Sequence, residues 1–109
     1  MPRHNISTGK KSQVANAHSA GIRASGEFLF TSGITPRDEN GDLVGAGDMA
    51  MQIRQTLSNM EDVLQAGGAG FADVVKFTVF VTDIVSFVAA RREGGTGLER
   101  AMTAAPALT

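Results

Sequence analysis

The stretch Gly26 to Pro36, GEFLFTSGITP, constrains this chain more than any other. The apolar run Phe28 to Phe30 breaks into Thr31, Ser32 and Gly33 and then meets Pro36. Such a run predicts a buried strand that delivers a pair of hydroxyls onto a backbone turn, which is how a fold presents a small polar site at a strand end. Gly33 permits close backbone approach, and Ser32 can both donate and accept a hydrogen bond. A serine-glycine pair after a strand is also ordinary turn chemistry, so the pattern by itself assigns no reaction.

The remaining elements follow in order. The polar segment from Pro2 to Asn16 predicts a flexible N-terminal arm over residues 1–16, with room for one short strand. Ser25 and Gly26 make a two-residue turn between extended runs, which predicts a hairpin of Gly21 to Ala24 with Glu27 to Ser32. Arg37 to Gly47 contains Asn40-Gly41 and two further glycines and reads as a loop, anchored by Leu43 and Val44. A helix follows, with Asp48 as N-cap, an inward stripe of Met49, Ile53, Leu57, Met60 and Leu64, and Gly67-Gly68 as its stop. The methionines of that stripe read as core packing.

Val74 to Val81, VVKFTVFV, is dense in β-branched and aromatic residues and predicts a central strand. Alternation puts Val75, Phe77, Val79 and Val81 on one face and Val74, Lys76, Thr78 and Phe80 on the other. Lys76 therefore sits among apolar neighbours. It either snorkels past an edge to water or is itself a cation held over a pocket or subunit interface, where it would bind an anion or partner. Ile84 to Arg92 predicts a second helix with Val85, Val88 and Ala89 inward, cut short by Gly94-Gly95-Thr96-Gly97. The closing LERAMTAAPALT is alanine-rich and has no strand pattern. A sheet assembled from these pieces keeps an unpaired edge and an incompletely covered face.

Composition narrows the function classes. With 109 residues, 42% hydrophobic content and a formal net charge of -1, the chain is the size of one small domain with a core. Its scattered Lys and Arg give no basic stripe for nucleic acid. The absence of cysteine excludes disulfides and thiol chemistry. No apolar run reaches the ~20 residues of a membrane helix, and no signal-like apolar core opens the chain, so the expectation is a cytoplasmic protein without membrane partners.

From about Ala17 to Arg92 the chain resembles the Rid family, also known as the YjgF family. The resemblance rests on GEFLFTSGITP, the glycine-rich loop after it, and QIRQTLSNMEDVLQAGGAGFADVVKFTVFVTDIVSF. It implies an α+β, chorismate-mutase-like fold: a mixed sheet with two helices on one face, built by residues 17–109 with the C-terminal strands missing. It also implies a homotrimer with sites in the clefts between subunits. The activity it implies is hydrolysis of reactive enamines and imines, such as 2-aminoacrylate and 2-iminobutanoate, to 2-oxo acids and ammonia, with neither metal nor organic cofactor.

Carried over by position, Ser32 and Gly33 match the family's serine-glycine pair, Lys76 its strand lysine, and His18 falls where its site tyrosine stands. Imine hydrolysis needs an oriented water, a proton for the departing amine and a cation for the substrate carboxylate. On this reading His18 moves protons, Ser32 and the Gly33 amide position water or substrate, and Lys76 and Arg91 bind the substrate. Three positions depart from the family: Arg91 replaces an asparagine, Ile34 a glutamine, and Leu108 the arginine of a Pro-Ala-Arg motif. Leucine cannot make a bidentate, charge-assisted contact with a carboxylate. Two functions therefore stand side by side, an imine or enamine deaminase and a small-metabolite-binding or regulatory protein without turnover.

Overall fold

In a computed structural model that describes residues 3–11, 20–98 and 100–101, the longest element is a helix, α1, Met49–Ala66. Asp48 caps its start, its Oδ1 accepting from the Met51 amide at 3.1 Å. At the other end the Gly67 amide donates to the carbonyls of Val63 and Leu64, both at 3.1 Å. Gly68 then turns left-handed at φ +79° and releases the chain from the helix. The predicted start, stripe and stop are all present. Ile53 and Leu64 are buried, and Met49, Ala50 and Leu57 pack partly buried against the core.

The second helix, α2, Ile84–Glu93, is capped by Asp83. One Asp83 carboxylate oxygen accepts from the Ser86 hydroxyl at 2.6 Å and the other from the Ser86 amide at 3.1 Å. These bonds, the hydroxyl's foremost, hold the Asp83 carboxyl below the ordinary carboxylate range. The helix is turned differently from the expectation of Val85, Val88 and Ala89 facing inward. Ala90 is the buried residue and Phe87 packs beside it, while Val85 is 76% exposed. A methyl side chain at position 90 lets α2 come close to Ile53, and the larger Val85 and Val88 are left outside that contact.

The glycine run after α2 is a return turn. Gly94, Gly95 and Gly97 all take positive φ, between +74° and +86°, which glycine alone adopts without strain. Thr96 is buried between them, and its Oγ1 accepts from the Leu98 amide at 3.2 Å. The Arg54 guanidinium of α1 donates to the Gly95 carbonyl at 3.0 Å. Together these contacts bring Leu98 back to the core beside Ile53 and Ala90, and the Ala101 amide donates back to the Gly97 carbonyl at 2.9 Å.

The sheet is smaller and differently paired than expected. Strand β1, Arg3–Ile6, and strand β2, Gly21–Ala24, run antiparallel in the register Arg3 to Ala24 and Ile6 to Gly21. Gly21–Ala24 thus pairs with the N-terminal segment, not with Glu27 to Ser32, because Leu29 is packed against the end of α1 instead. An Arg3 guanidinium hydrogen bond to the Ala72 carbonyl ties this sheet to the loop after α1. The described architecture is α+β, with two helices and a two-stranded antiparallel sheet in place of the mixed sheet.

Among the described residues Val74 to Val81 joins no ladder. Its alternation nevertheless survives over most of its length: Val75, Phe77 and Val81 are half-buried, and Lys76, Thr78 and Phe80 are exposed. Phe77 packs on the helical core, so the period of two is imposed by one covered face even without a neighbouring strand.

Two outcomes follow from this packing. Ile53→Ala is expected to cost about 2–5 kcal/mol in chemical denaturation, since the site is enclosed by Ala90 and Leu98 and cannot readily collapse. The stabilising effect of Asp83 is present above the ordinary carboxylate pKa and is lost as pH falls through its lowered folded value. Asp83→Asn should therefore flatten the acid-side slope of stability against pH, measured by denaturant midpoints across the acidic range.

Candidate functional site

Ser32 and Gly33 are both exposed, on a segment that is tied to α1 at each end. On the N-terminal side the tie is apolar. A Cβ placed on Gly67 would overlap Leu29 Cδ1, so the leucine rests directly on the bare backbone where α1 ends. On the C-terminal side the tie is polar. Asn59 Nδ2 donates to the Thr35 carbonyl at 2.9 Å and to the Arg37 carbonyl at 2.8 Å. Gln55 Nε2 donates to the Asn59 side-chain oxygen at 2.9 Å and to the Arg37 carbonyl at 3.3 Å.

Pro36 shapes what these amides hold. The Arg37 amide donates back to the Thr35 carbonyl at 2.9 Å, closing a three-residue turn around Pro36, whose ring already fixes the backbone angle such a turn uses. The chain then folds on itself. The Val44 amide donates to the Pro36 carbonyl at 2.8 Å, and Asp38 Oδ1 accepts from the Asn40 and Asp42 amides at 2.9 and 3.0 Å. Arg37 closes the loop with a 2.9 Å bond to the Gly41 carbonyl. A third amide, Gln52, donates to Gly45 at 2.8 Å and pins the far end of the loop.

Between this loop and α1 lies a broad open groove lined by Ile34, Thr35, Arg37, Asn59 and Asp62, with Asp38 and Glu39 at its side. A second, enclosed apolar space of only about 20 Å³ lies among Leu57, Met60, Phe77 and Leu98. Neither is lined by Ser32, Gly33, Lys76 or Arg91. Lys76 is exposed on its extended segment and Arg91 is exposed in the last turn of α2. Ser32 and Gly33 thus share one exposed segment, while Lys76 and Arg91 stand on two other elements of the described chain. His18 and Leu108 lie outside the described residues. Among the described residues no group of three or more His, Asp or Glu side chains is placed to hold a metal ion, and no helix is long and apolar enough to cross a membrane.

Gln55 and Asn59 are the residues whose role the sequence alone does not disclose. Both fall within the helix stretch QIRQTLSNMEDVLQ, where neither is given a role. The available signal is the spacing of Gln52, Gln55 and Asn59, three carboxamides on one face of α1, each able to donate and accept at the same time. A solvated helix face has no need of that chemistry, whereas a face carrying a loop by its carbonyls does.

Comparison with known proteins adds a family. The model of the endoribonuclease L-PSP family matches residues 8–107. A RutC family protein of Synechocystis sp. is 36% identical over 85 residues, covering 77% of this chain and 65% of that protein. A 2-iminobutanoate/2-iminopropanoate deaminase of Salmonella typhimurium is 40% identical over 62 residues, 57% of this chain and 48% of that enzyme. The chain thus spans about half to two thirds of the length of these relatives. Among solved structures, the Rid-family protein YyfB of Yersinia pestis, of unknown function, superposes with a TM-score of 0.64 at 28% identity, covering 88% of this chain and 76% of that one.

The Leu29 contact can be tested directly. The Gly67 backbone, at φ -86°, tolerates any residue, so an alanine there would ordinarily gain about 0.4–1 kcal/mol through the unfolded chain. Gly67→Ala is expected to forfeit that gain, because the new methyl displaces Leu29; denaturant midpoints and the Leu29 methyl resonance report the two effects.

Proposed function

The chain belongs to the YjgF/Rid family, and from that membership we propose that it hydrolyses small reactive imines or enamines to 2-oxo acids and ammonia. The observation that carries this reading is the exposed Ser32-Gly33 pair on a braced segment, in a chain 40% identical over 62 residues to an enzyme named as a 2-iminobutanoate/2-iminopropanoate deaminase. A relative named 3-aminoacrylate deaminase RutC, from Acinetobacter baylyi, is 36% identical over the same length of 62 residues.

The chemistry asks little of the protein beyond placement. An enamine first takes a proton on carbon and gives one up from nitrogen, becoming the imine. Water then adds to the imine carbon, and the second electron pair of the C=N bond moves to nitrogen. Proton transfer from the new hydroxyl to the amine lets the C–N bond break, leaving a C=O group and free ammonia. Ser32 Oγ and the Gly33 amide hold the water or the developing oxygen, and His18 shuttles the proton. Lys76 and Arg91 supply positive charge for the substrate carboxylate. No step calls for a metal or an organic cofactor.

A site of this kind is completed by association. Phe28, Phe30 and Phe80 are 69%, 88% and 91% exposed, and Ile84 and Val85 are exposed as well, more apolar surface than a monomer keeps without reason. A homotrimer would cover these side chains and bring Ser32, Lys76 and Arg91 of different copies to one cleft. A near-neutral net charge and the absence of a basic stripe support a small-molecule substrate over nucleic acid. Leu108, in place of a carboxylate-clamping arginine, favours the second reading, a protein that binds a small metabolite without turning it over.

The test is the decay of freshly generated 2-iminobutanoate with protein shown by light scattering to be trimeric, beside Arg91→Ala and Leu108→Arg. The deaminase reading expects decay faster than buffer, loss of that rate in Arg91→Ala, and a gain in Leu108→Arg. An intact trimer that leaves decay at the buffer rate establishes the binding reading instead.

A further inference from the structure

We infer that Asn59, braced by Gln55, is the positioning residue that fixes Ser32 and Gly33 for chemistry. This inference rests on the deaminase reading for its kinetic consequence and on the structure alone for its geometry. Residues 30–34, which carry the pair, form a short span between two fixed points on one helix. One point is Leu29 on the backbone of Gly67; the other is the Pro36 turn on Asn59. Asn59 gives Thr35 its described hydrogen bond from α1 and Gln55 adds a longer one to the Arg37 carbonyl, so the polar end of the span rests on these two side chains, Asn59 first.

The bonding is saturated, which is why Asn59 is not interchangeable with another polar residue. The Thr35 carbonyl accepts from the Arg37 amide and from Asn59, filling both its lone pairs. The Arg37 carbonyl accepts from Asn59 and Gln55. The Asn59 oxygen, turned away from those carbonyls, accepts from Gln55, so the amide has one orientation in which every group is paired. Flipping it would set its oxygen against two carbonyl oxygens. An aspartate in its place has the same shape and no donor, and would repel both carbonyls.

Placement matters because a nucleophile or oxyanion donor displaced by about 1 Å costs on the order of a hundredfold in rate. Ser32 and Gly33 sit three and two residues from Thr35, too close for slack at that anchor to be absorbed before it reaches them. The latch therefore acts on the catalytic pair without touching substrate.

Backbone ¹⁵N relaxation on the 109-residue chain, Asn59→Ala and Asn59→Asp tests the geometry. In the parent, Gly33 is expected to be rigid, with an order parameter near ~0.85, and in both variants to fall below about 0.6 while the amides of α1 keep their values. Gly33 that is already mobile in the parent, that stays rigid in the variants, or that loosens in Asn59→Ala but not in Asn59→Asp overturns the inference. Should the Asn59 variants fail to fold, Gln55→Ala carries the same comparison: a fall in order at Gly33 supports the latch, and no change overturns it.

Turnover of 2-iminobutanoate supplies the second readout. Asn59→Ala is expected to lower kcat about tenfold to a hundredfold with KM little changed, and to cost clearly less in a Ser32→Ala background, where only the Gly33 amide is left to be placed. Equal losses in both backgrounds would mean that Asn59 does not act through Ser32 and would overturn its positioning role. A parent without turnover would remove the deaminase reading, and the relaxation comparison would then decide the latch by itself.

Discussion

Ile53, Ala90 and Leu98 meet with almost no accessible surface, and they arrive from α1, from α2 and from the far side of a glycine turn. Their contact is what lets one helix serve as the frame for everything else. Burying a few aliphatic side chains is worth about 1.5–3 kcal/mol each at most, so a core this small leaves little margin for a misplaced element. The surrounding polar bonds are consistent with that economy. Arg54 reaches the Gly95 carbonyl and the Thr96 hydroxyl meets the Leu98 amide, so the turn that supplies Leu98 is held by the helix it packs against.

The same helix works on two faces. Its apolar stripe gathers α2 and Leu98, and its amide face carries the loop that follows Ser32 and Gly33. A substitution that rotates or shortens α1 would move the core and the loop together. This coupling explains why the segment bearing the proposed chemistry can be exposed and still be placed: it borrows order from a helix whose ends are fixed by Asp48 and Gly67.

What the sequence discloses about this molecule divides along physical lines. Helix α1 is legible from cap to stop because its signals are local: an aspartate before the stripe, apolar residues at helical spacing, two glycines after it. Helix α2 is legible in extent but not in rotation, since Val85 and Ala90 are both apolar and only the approach of Ile53 decides between them. The pairing of Gly21–Ala24 with Arg3–Ile6 is not legible, because the Ser25-Gly26 turn offers a closer partner and the competing pull on Leu29 comes from a residue far along the chain. Ser32 and Gly33 stand out in the sequence as a motif. The role of the side chains that hold them does not, because Gln55 and Asn59 lie within the helix stretch that carries the resemblance but show what they hold only once the loop is laid across them.

Phe28 and Phe30 stand with their ring centroids 6.1 Å apart and their planes tilted by 31°, both largely open to solvent. The chain has neither tryptophan nor tyrosine, so its six phenylalanines are its only aromatic chromophores and nothing within it drains their excitation. Their weak ultraviolet emission is consequently a native optical signal of this protein. Whatever covers the Phe28–Phe30 pair, whether another copy of the chain or a partner carrying a tyrosine or tryptophan, would alter or quench that emission without any label being attached.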